Sequence, residues 1–198
     1  MTIPQLTGSY PGRIVLAAVP VAVASTLLLA GVAQGAVPVS FAVSGSQLQI
    51  SASQLDGTGF SQYAGVTDDT AGDPHQVAIA NITSASLADL CQSVVTDTPL
   101  GKVGMLITAG GGGKPATAPD LQIGMTDLKG DSTFGNIRIG VDASTVNTAP
   151  KGTAGDFAQD ADTIKIAGLQ QTAWSTQASV FTLTGMHLEL TDGSTGCF

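Results

Sequence analysis

The sequence predicts a mainly β protein: one exported antiparallel domain, sandwich- or barrel-like, with one short helix and an N-terminal hydrophobic helix ahead of it. Apolar residues alternate with small or polar ones over most of the chain, as in strands with one buried face. Charged residues make up only 11% of the chain, so glycine and hydroxyl side chains must supply many of the turns and much of the surface. Because the strand-like segments loosely resemble one another, a β-solenoid is the alternative, although their spacing is irregular.

The N-terminal apolar run extends from Ile14 to Ala33 and contains no charged residue. A helix of that length spans roughly 30 Å, the thickness of the hydrocarbon core of a bilayer. Arg13 directly precedes the run, and positive charge is retained on the cytoplasmic side. We therefore expect the chain beyond the run to lie outside the cytoplasm.

This topology divides the chain into three parts. Residues 1–12 are expected to form a cytoplasmic tail, residues 13–35 a transmembrane anchor or a signal peptide, and residues 36–198 an extracytoplasmic β-domain. The run is longer than the apolar region of an ordinary signal peptide, but small residues near Gly35 offer a cleavage site. Both the membrane-anchored and the secreted form remain open at this point.

Strand spacing continues through the exported part. Polar stretches that include Asp56–Gly59, Thr67–Pro74 and residues 144–162 predict turns or loops between strands. The predicted strands, in chain order, lie at Val37–Val43, Leu48–Ala52, Phe60–Gly65, Val77–Ile82, Val103–Ala109, Leu121–Met125, Phe134–Val141, Ile164–Ile166, Val180–Leu183 and Met186–Leu190.

One segment has helical rather than strand spacing. Between Ser84 and Thr96, apolar residues recur at intervals of three and four, beginning at Leu87. The spacing predicts the short helix of the exported domain, which would carry Cys91 into the core.

The chain contains two cysteines, Cys91 and Cys197. Outside the cytoplasm an even number of cysteines favours a disulfide, and this one would connect the C-terminus to the middle of the domain. Two separate free thiols are the alternative.

Charge and motifs exclude several functions. A net charge of −8 opposes contact with phosphate backbones, so we expect no nucleic-acid partner. The G-x-S-x-G motif of α/β-hydrolases is absent, and Gly130-Asp131-Ser132 is too short to define an esterase signature. The two histidines, His75 and His187, are therefore interpreted as ordinary residues. We assign no catalytic residue and lean towards a protein that is not an enzyme.

Metal and cofactor sites are likewise not assigned. Two acidic groups could offer oxygen ligands to calcium, but neither matches a known calcium loop, and solvated loops are the simpler interpretation. The glycine run that starts at Gly110 is followed by Lys114 and Pro115, which breaks the spacing of a phosphate-binding loop. The two acidic groups are Asp68, Asp69 and Asp73, and Asp156, Asp160 and Asp162.

Aromatic residues are the remaining candidates for ligand contact. Phe60, Tyr63 and Trp174 either line a ligand site or belong to the core. Low charge combined with a membrane tether makes an interior that holds an acyl chain a second hypothesis.

Five segments carry a family resemblance: Phe41–Gly45, Gly59–Val66, Leu90–Val94, Gln171–Trp174 and Cys197–Phe198. Together they resemble a family of uncharacterised exported proteins of streptomycetes and related actinobacteria, some of which carry an automatic label of cholesterol esterase. The resemblance implies one N-terminal hydrophobic segment and a small multi-span membrane protein as a partner. It is consistent with pairing of Cys91 and Cys197, and it transfers no catalytic residue.

The sequence as a whole therefore predicts a non-catalytic cell-envelope protein that acts by assembly, as a homo-oligomer, or by binding a partner. A lipid-binding or lipid-carrying domain is the alternative, and an esterase comes third.

Overall fold

The computed structural model describes residues 44–198. The predicted strand Val37–Val43 and the apolar run lie outside the described residues. The prediction of a mainly β, antiparallel fold is confirmed, and a single turn of 3-10 helix, Ala143–Thr145, is the helix among the described residues. The strands are β1 (Leu48–Asp68), β2 (Pro74–Ala88), β3 (Leu90–Thr98), β4 (Gly101–Ala109), β5 (Ala116–Gly135), β6 (Arg138–Asp142), β7 (Phe157–Gln177) and β8 (His187–Thr191).

The eight strands combine into four long arms that run up and down in chain order. The first arm is β1, and the second is β2 with β3, which keep one register against β1. The third arm is β4, β5 and β6, and the fourth runs from β7 to β8. A bridge between Thr117 and Thr182 maintains the alignment of the third and fourth arms in the stretch between β7 and β8.

The arms close into a ring because β7 pairs with β5 along one edge and with β1 along the other. The ring contains β1, β2, β5 and β7, and its strands are strongly staggered. Met125 of β5 faces both Ala78 of β2 and Ala173 of β7, whose partners on β1 are residues 64 and 48. Stagger of this kind accompanies the closing of any sheet, because the strands must tilt to meet.

The hydrophobic core fills the ring. Ile82 of β2, Leu121 of β5 and Ile164 of β7 are each no more than 3% exposed. Burying a side chain of this size contributes about 1.5–3 kcal/mol relative to leaving it in water. Because inward residues come from all four ring strands, no strand can leave the sheet without exposing this core.

The predicted turn at Asp56–Gly59 is wrong, since these residues lie within β1. Glycine is needed there for packing: a Cβ on Gly57 would lie 2.7 Å from Ile82 Cγ2 and 2.9 Å from Ile164 Cγ2. Ile82 and Ile164 fill the space that a side chain at position 57 would need. A glycine that is typical of turns therefore lies in the middle of a strand.

The predicted helix over Ser84–Thr96 is also wrong, because the segment forms the end of β2 and most of β3. Asp89 separates the two strands with a φ of 50°. This left-handed residue interrupts the alternation, so Leu87 and Leu90 both point into the core although they are three positions apart. The interruption reproduces helical spacing within an extended arm.

Substitution of Asp89 tests the role of this interruption. Asp89→Val places a β-branched residue at positive φ and should lower the free energy of unfolding by about 2 kcal/mol. Asp89→Gly is the matched control: glycine adopts this conformation freely, so only the exposed hydrogen bond from Ser53 Oγ to the Asp89 carboxylate is lost. Urea unfolding of both variants measures the difference, and equal midpoints would show that backbone conformation at this position is unimportant.

A disulfide joins Cys91 of β3 to Cys197, as the cysteine count predicted. The C-terminal tail folds back across β4 and β3 to reach it, and the backbone N–H of Cys197 donates a hydrogen bond to Ser93 Oγ at 3.1 Å. Gly104 of β4 allows the passage, since a Cβ at that position would lie 3.1 Å from the Gly193 Cα.

Reduction should destabilise the domain strongly, because the bridge spans 106 residues. Loop-closure entropy for a loop of this length is worth about 4–5 kcal/mol, so urea unfolding with a reductant should occur at a clearly lower midpoint. The double variant Cys91→Ser/Cys197→Ser is the control. Its midpoint should match that of the reduced protein and should not respond to the reductant; a response would mean that the reductant acts elsewhere.

Candidate functional site

One side of the sheet formed by β3, β4 and β8 carries no charged residue. Side chains alternate between the two sides of a strand and cross-strand partners share a side, so the register assigns each residue. We call this side the apolar face. Its members are Leu90, Gln92, Val94, Thr96, Thr98, Gly101, Val103, Met105, Ile107, Ala109, Leu188 and Leu190.

The outer part of the apolar face is open to solvent. Val103 is 41% exposed, Leu188 47% and Leu190 69%. Met186 and Phe181, in the stretch that leads into β8, are also exposed. A cluster of exposed apolar side chains on one side of a sheet is typical of an interaction surface.

The opposite side of the same strands is polar and partly covered. It carries Asp97, Lys102, His187 and Glu189, and the Lys102 Nζ lies 3.3 Å from Asp97 Oδ1. The C-terminal tail crosses this side at Gly104. The disulfide therefore places the tail on the charged side and leaves the apolar face open.

The interior of the ring is too full to hold an acyl chain. The cavity that Ile50, Leu55 and Phe181 help to line measures ≈ 10 Å³, about the space of one water molecule. A second concavity, an open cleft of ≈ 620 Å³, is lined in part by Val66, Val77 and Met125. A lipid would therefore have to bind in that cleft or on the surface.

The three aromatic candidates lie in three separate places. Phe60 is buried in the ring, with its centroid 5.3 Å from that of Phe134. Tyr63 is buried in a second, smaller cluster outside the ring, where its hydroxyl donates to the Pro150 carbonyl at 3.3 Å. The ring of Trp174 stacks on that of His75 at 3.7 Å. The structure does not bring these side chains into one site.

The histidines and the candidate serine are also not brought together by strand pairing. Ser132 faces Ile166 across β5 and β7, whereas His187 faces Thr108 across β4 and β8. His75, stacked on Trp174, places its Nε2 3.3 Å from Asp69 Oδ2.

The acidic groups make structural contacts. Asp69 accepts backbone N–H bonds from Asp73 at 3.0 Å and Ala71 at 2.8 Å, and the bond from Asp73 is the main cause of its lowered pKa. Asp162 Oδ2 accepts a hydrogen bond from Asn136. Within residues 44–198, no three His, Cys, Asp or Glu side chains are grouped to hold a metal ion. The glycine run also links two arms, since the Gly110 N–H donates to the Thr184 carbonyl at 2.8 Å.

Asp160 is a fully buried carboxylate that fixes the loop after β6. Arg138 donates to both of its oxygens, from Nε at 2.8 Å to Oδ1 and from Nη2 to Oδ2. The backbone N–H of Asn147 donates to Oδ2 at 2.8 Å. The hydrogen bonds from Arg138 are the main cause of a pKa for Asp160 below the usual carboxyl range.

A buried polar layer continues beside Asp160. The hydroxyls of Ser61 and Thr148 share a short hydrogen bond, and Asn81 Nδ2 donates to Ser61 Oγ at 3.2 Å. These contacts fix the loop of residues 143–156 over the outer side of the ring, so this region is a structural device rather than a ligand site.

Because the folded-state pKa of Asp160 is lowered, the ionised carboxylate stabilises the domain at neutral pH, and this stability is lost as the pH falls below about 5 towards the lowered pKa. Asp160→Asn should cost about 2 kcal/mol at pH 7 through the lost charge-assisted hydrogen bonds and should flatten the acid limb of the stability curve. Asp162→Asn is the control for an exposed carboxylate. Chemical unfolding from pH 7 to pH 3 measures both, and an unchanged acid limb in Asp160→Asn would contradict this assignment.

These features define a disulfide-bonded, all-β domain with one open apolar face. Residues 44–198 match the model of a family of unknown function (DUF6230), and the chain belongs to that family. Searches of curated proteins and of solved structures found no match.

The disulfide indicates an oxidising, extracytoplasmic environment. Among residues 44–198, no helix is long and apolar enough to cross a membrane.

The apolar face was missed by the sequence analysis. Leu188 and Leu190 had the alternation of an ordinary strand with one buried side. The position of β8 at the end of the sheet, which leaves both leucines exposed, follows only from the long-range pairing of β8 with β4.

Proposed function

We propose that this protein is a non-catalytic component of the cell envelope that acts at the outer side of the membrane by protein–protein contact through the apolar face. The observation that carries the proposal is the exposure of Leu188 and Leu190 on a side of the sheet without charge. Burying a fully exposed leucine side chain contributes about 1.5–3 kcal/mol. A partner would recover the share of this free energy that corresponds to the surface of Leu188 and Leu190 that is still exposed.

The disulfide supports this location, and the position of the tail supports the choice of surface. The tail covers the charged side of β4 and not the apolar face, so a partner can approach without displacing any described segment. The anchored or secreted state of the N-terminal segment belongs to the same proposal and rests on the sequence of Ile14–Ala33.

A lipid-binding role is the alternative, and the open cleft of ≈ 620 Å³ favours it. Val66, Val77 and Met125 supply apolar walls there, and Asp156 lies among the lining residues. The cleft and the apolar face have no residue in common, so substitutions in one or the other distinguish the two roles.

The esterase role, the actinobacterial origin and the membrane-protein partner rest on the resemblance alone. Ser132 lies in the β5–β7 pair and His187 in the β4–β8 pair. The pairing of the strands therefore does not support a catalytic site made of these two residues.

The test is native mass spectrometry of the full chain, extracted from the producing cells without reductant. We expect assemblies heavier than the 19.7 kDa chain, and we expect Leu188→Ser/Leu190→Ser to abolish them. Val66→Ser is the matched control, because it removes an equally exposed apolar side chain from the cleft. A bare monomer in the unmodified protein contradicts the proposal. Lipid-sized adducts that only Val66→Ser removes would instead support the lipid-binding alternative.

A further inference from the structure

We propose that the partner of β8 is a second copy of this chain, joined by antiparallel pairing of the two β8 strands in a register centred on Leu188. The inference rests on the proposed function, which states that another protein contacts this part of the molecule. The inference names that protein. It adds the edge, the register and the symmetry of the contact.

The free edge of β8 is the first reason. β8 pairs with β4 along one edge and is the last strand of the sheet order in the described part of the chain. An edge strand offers unpaired backbone N–H and C=O groups, and proteins usually block such edges with lysine, proline or a bulge. The β8 sequence, His-Leu-Glu-Leu-Thr, contains no lysine or proline, and its pairing with β4 is regular.

The charges of β8 select the register. When two β8 strands pair around Leu188, His187 lies opposite the partner's Glu189, and symmetry repeats this pair. A register centred on Glu189 would instead place two carboxylates directly opposite each other, which is destabilising. A shift by one residue would mix the apolar and polar sides. The Leu188-centred register is therefore the self-complementary one.

The apolar side chains agree with the same register. Leu188 would lie opposite the partner's Leu188, and Met186 opposite the partner's Leu190. In the single chain, Leu188 is 47% exposed, Met186 53% and Leu190 69%. Pairing would bury surface that is now in water. The two apolar faces would form one continuous surface, since a twofold axis perpendicular to the sheet keeps equivalent sides together.

The C-terminal tail is compatible with this contact. After β8 the chain turns back over β4, where a Cβ on Gly193 would lie 3.0 Å from the Lys102 Cβ and 3.0 Å from Val95 Cγ1. The disulfide holds the tail in that direction, away from the free edge of β8. Within residues 44–198, no segment therefore blocks the approach of a second copy to this edge in the oxidised protein.

Cysteine cross-linking tests the register directly. Opposite residues in an antiparallel pair have Cα atoms about 4.5–5.5 Å apart, within the range that a disulfide requires. Leu188→Cys in the full chain should give a covalent dimer under mild oxidation. Leu190→Cys is the matched control and should give no covalent dimer, because residue 190 would face residue 186 and not its own equivalent. Peptide mapping must show the Cys91–Cys197 bridge intact in both variants.

Charge exchange provides the second measurement. His187→Glu should abolish the dimer in sedimentation velocity, because it creates two opposed carboxylate pairs, and Glu189→Lys should weaken it. An equimolar mixture of the two single variants should restore a dimer, since the introduced Glu would then lie opposite the introduced Lys and no two carboxylates would face each other. The double variant His187→Glu/Glu189→Lys should dimerise with itself.

The outcomes separate this inference from the function on which it rests. The self-pairing of β8 is overturned if Leu188→Cys gives no covalent dimer, if Leu190→Cys gives an equal yield of covalent dimer, or if charge exchange leaves the dimer unchanged. If assemblies still disappear in Leu188→Ser/Leu190→Ser, the apolar face binds a different protein and the proposed function stands. If the unmodified protein forms no assembly at all, both proposals fail.

Discussion

The rest of the structure depends on the pairing of β1 along both of its edges. β2 and β3 follow one edge and β7 follows the other, so a single strand of 21 residues holds the second and fourth arms at fixed positions. Local hairpins could form three of the four contacts between neighbouring arms. The fourth, between β1 and β7, joins segments about a hundred residues apart and turns an open meander into a ring. Closure removes two exposed edges and encloses the core.

Regular strands could not be this long without interruption, because a long sheet must bend to close. The arms are interrupted at a few backbone positions, among which Asp89, Asp120 and Asn136 have positive φ. At Asp89 the second arm also changes its neighbour from β5 to β4, and the Asp89 N–H donates to the Gly110 carbonyl at 3.0 Å. The residue that interrupts the second arm therefore also lies where the sheet branches.

The sequence predicts the strands correctly where apolar residues alternate regularly with polar or small ones. It does not predict features that depend on pairing between distant segments or on local interruptions of that alternation. Alternation at Leu48–Ala52 and Leu121–Met125 predicted strands that the structure contains, and the antiparallel β class followed from many such segments. The predictions of a turn at Asp56–Gly59 and of a helix at Ser84–Thr96 are wrong for two local reasons. Close packing requires glycine inside a strand in the first segment, and an aspartate with positive φ produces helical spacing in an extended chain in the second. The apolar face could not be predicted, because residue 190 is far along the chain from residues 94 and 105 and lies beside them only through the pairing of β8 with β4.

The disulfide has a consequence for the resistance of the chain to proteolysis. Cys91 and Cys197 enclose everything from β3 to the C-terminal tail in one covalent loop. A protease that cuts one bond anywhere in that interval, for example in the loop of residues 143–156, opens the loop but releases no fragment. After a cut in the loop of residues 143–156, both sides stay covalently linked and paired with β1, so the domain tolerates a nick that would divide an unbridged chain in two.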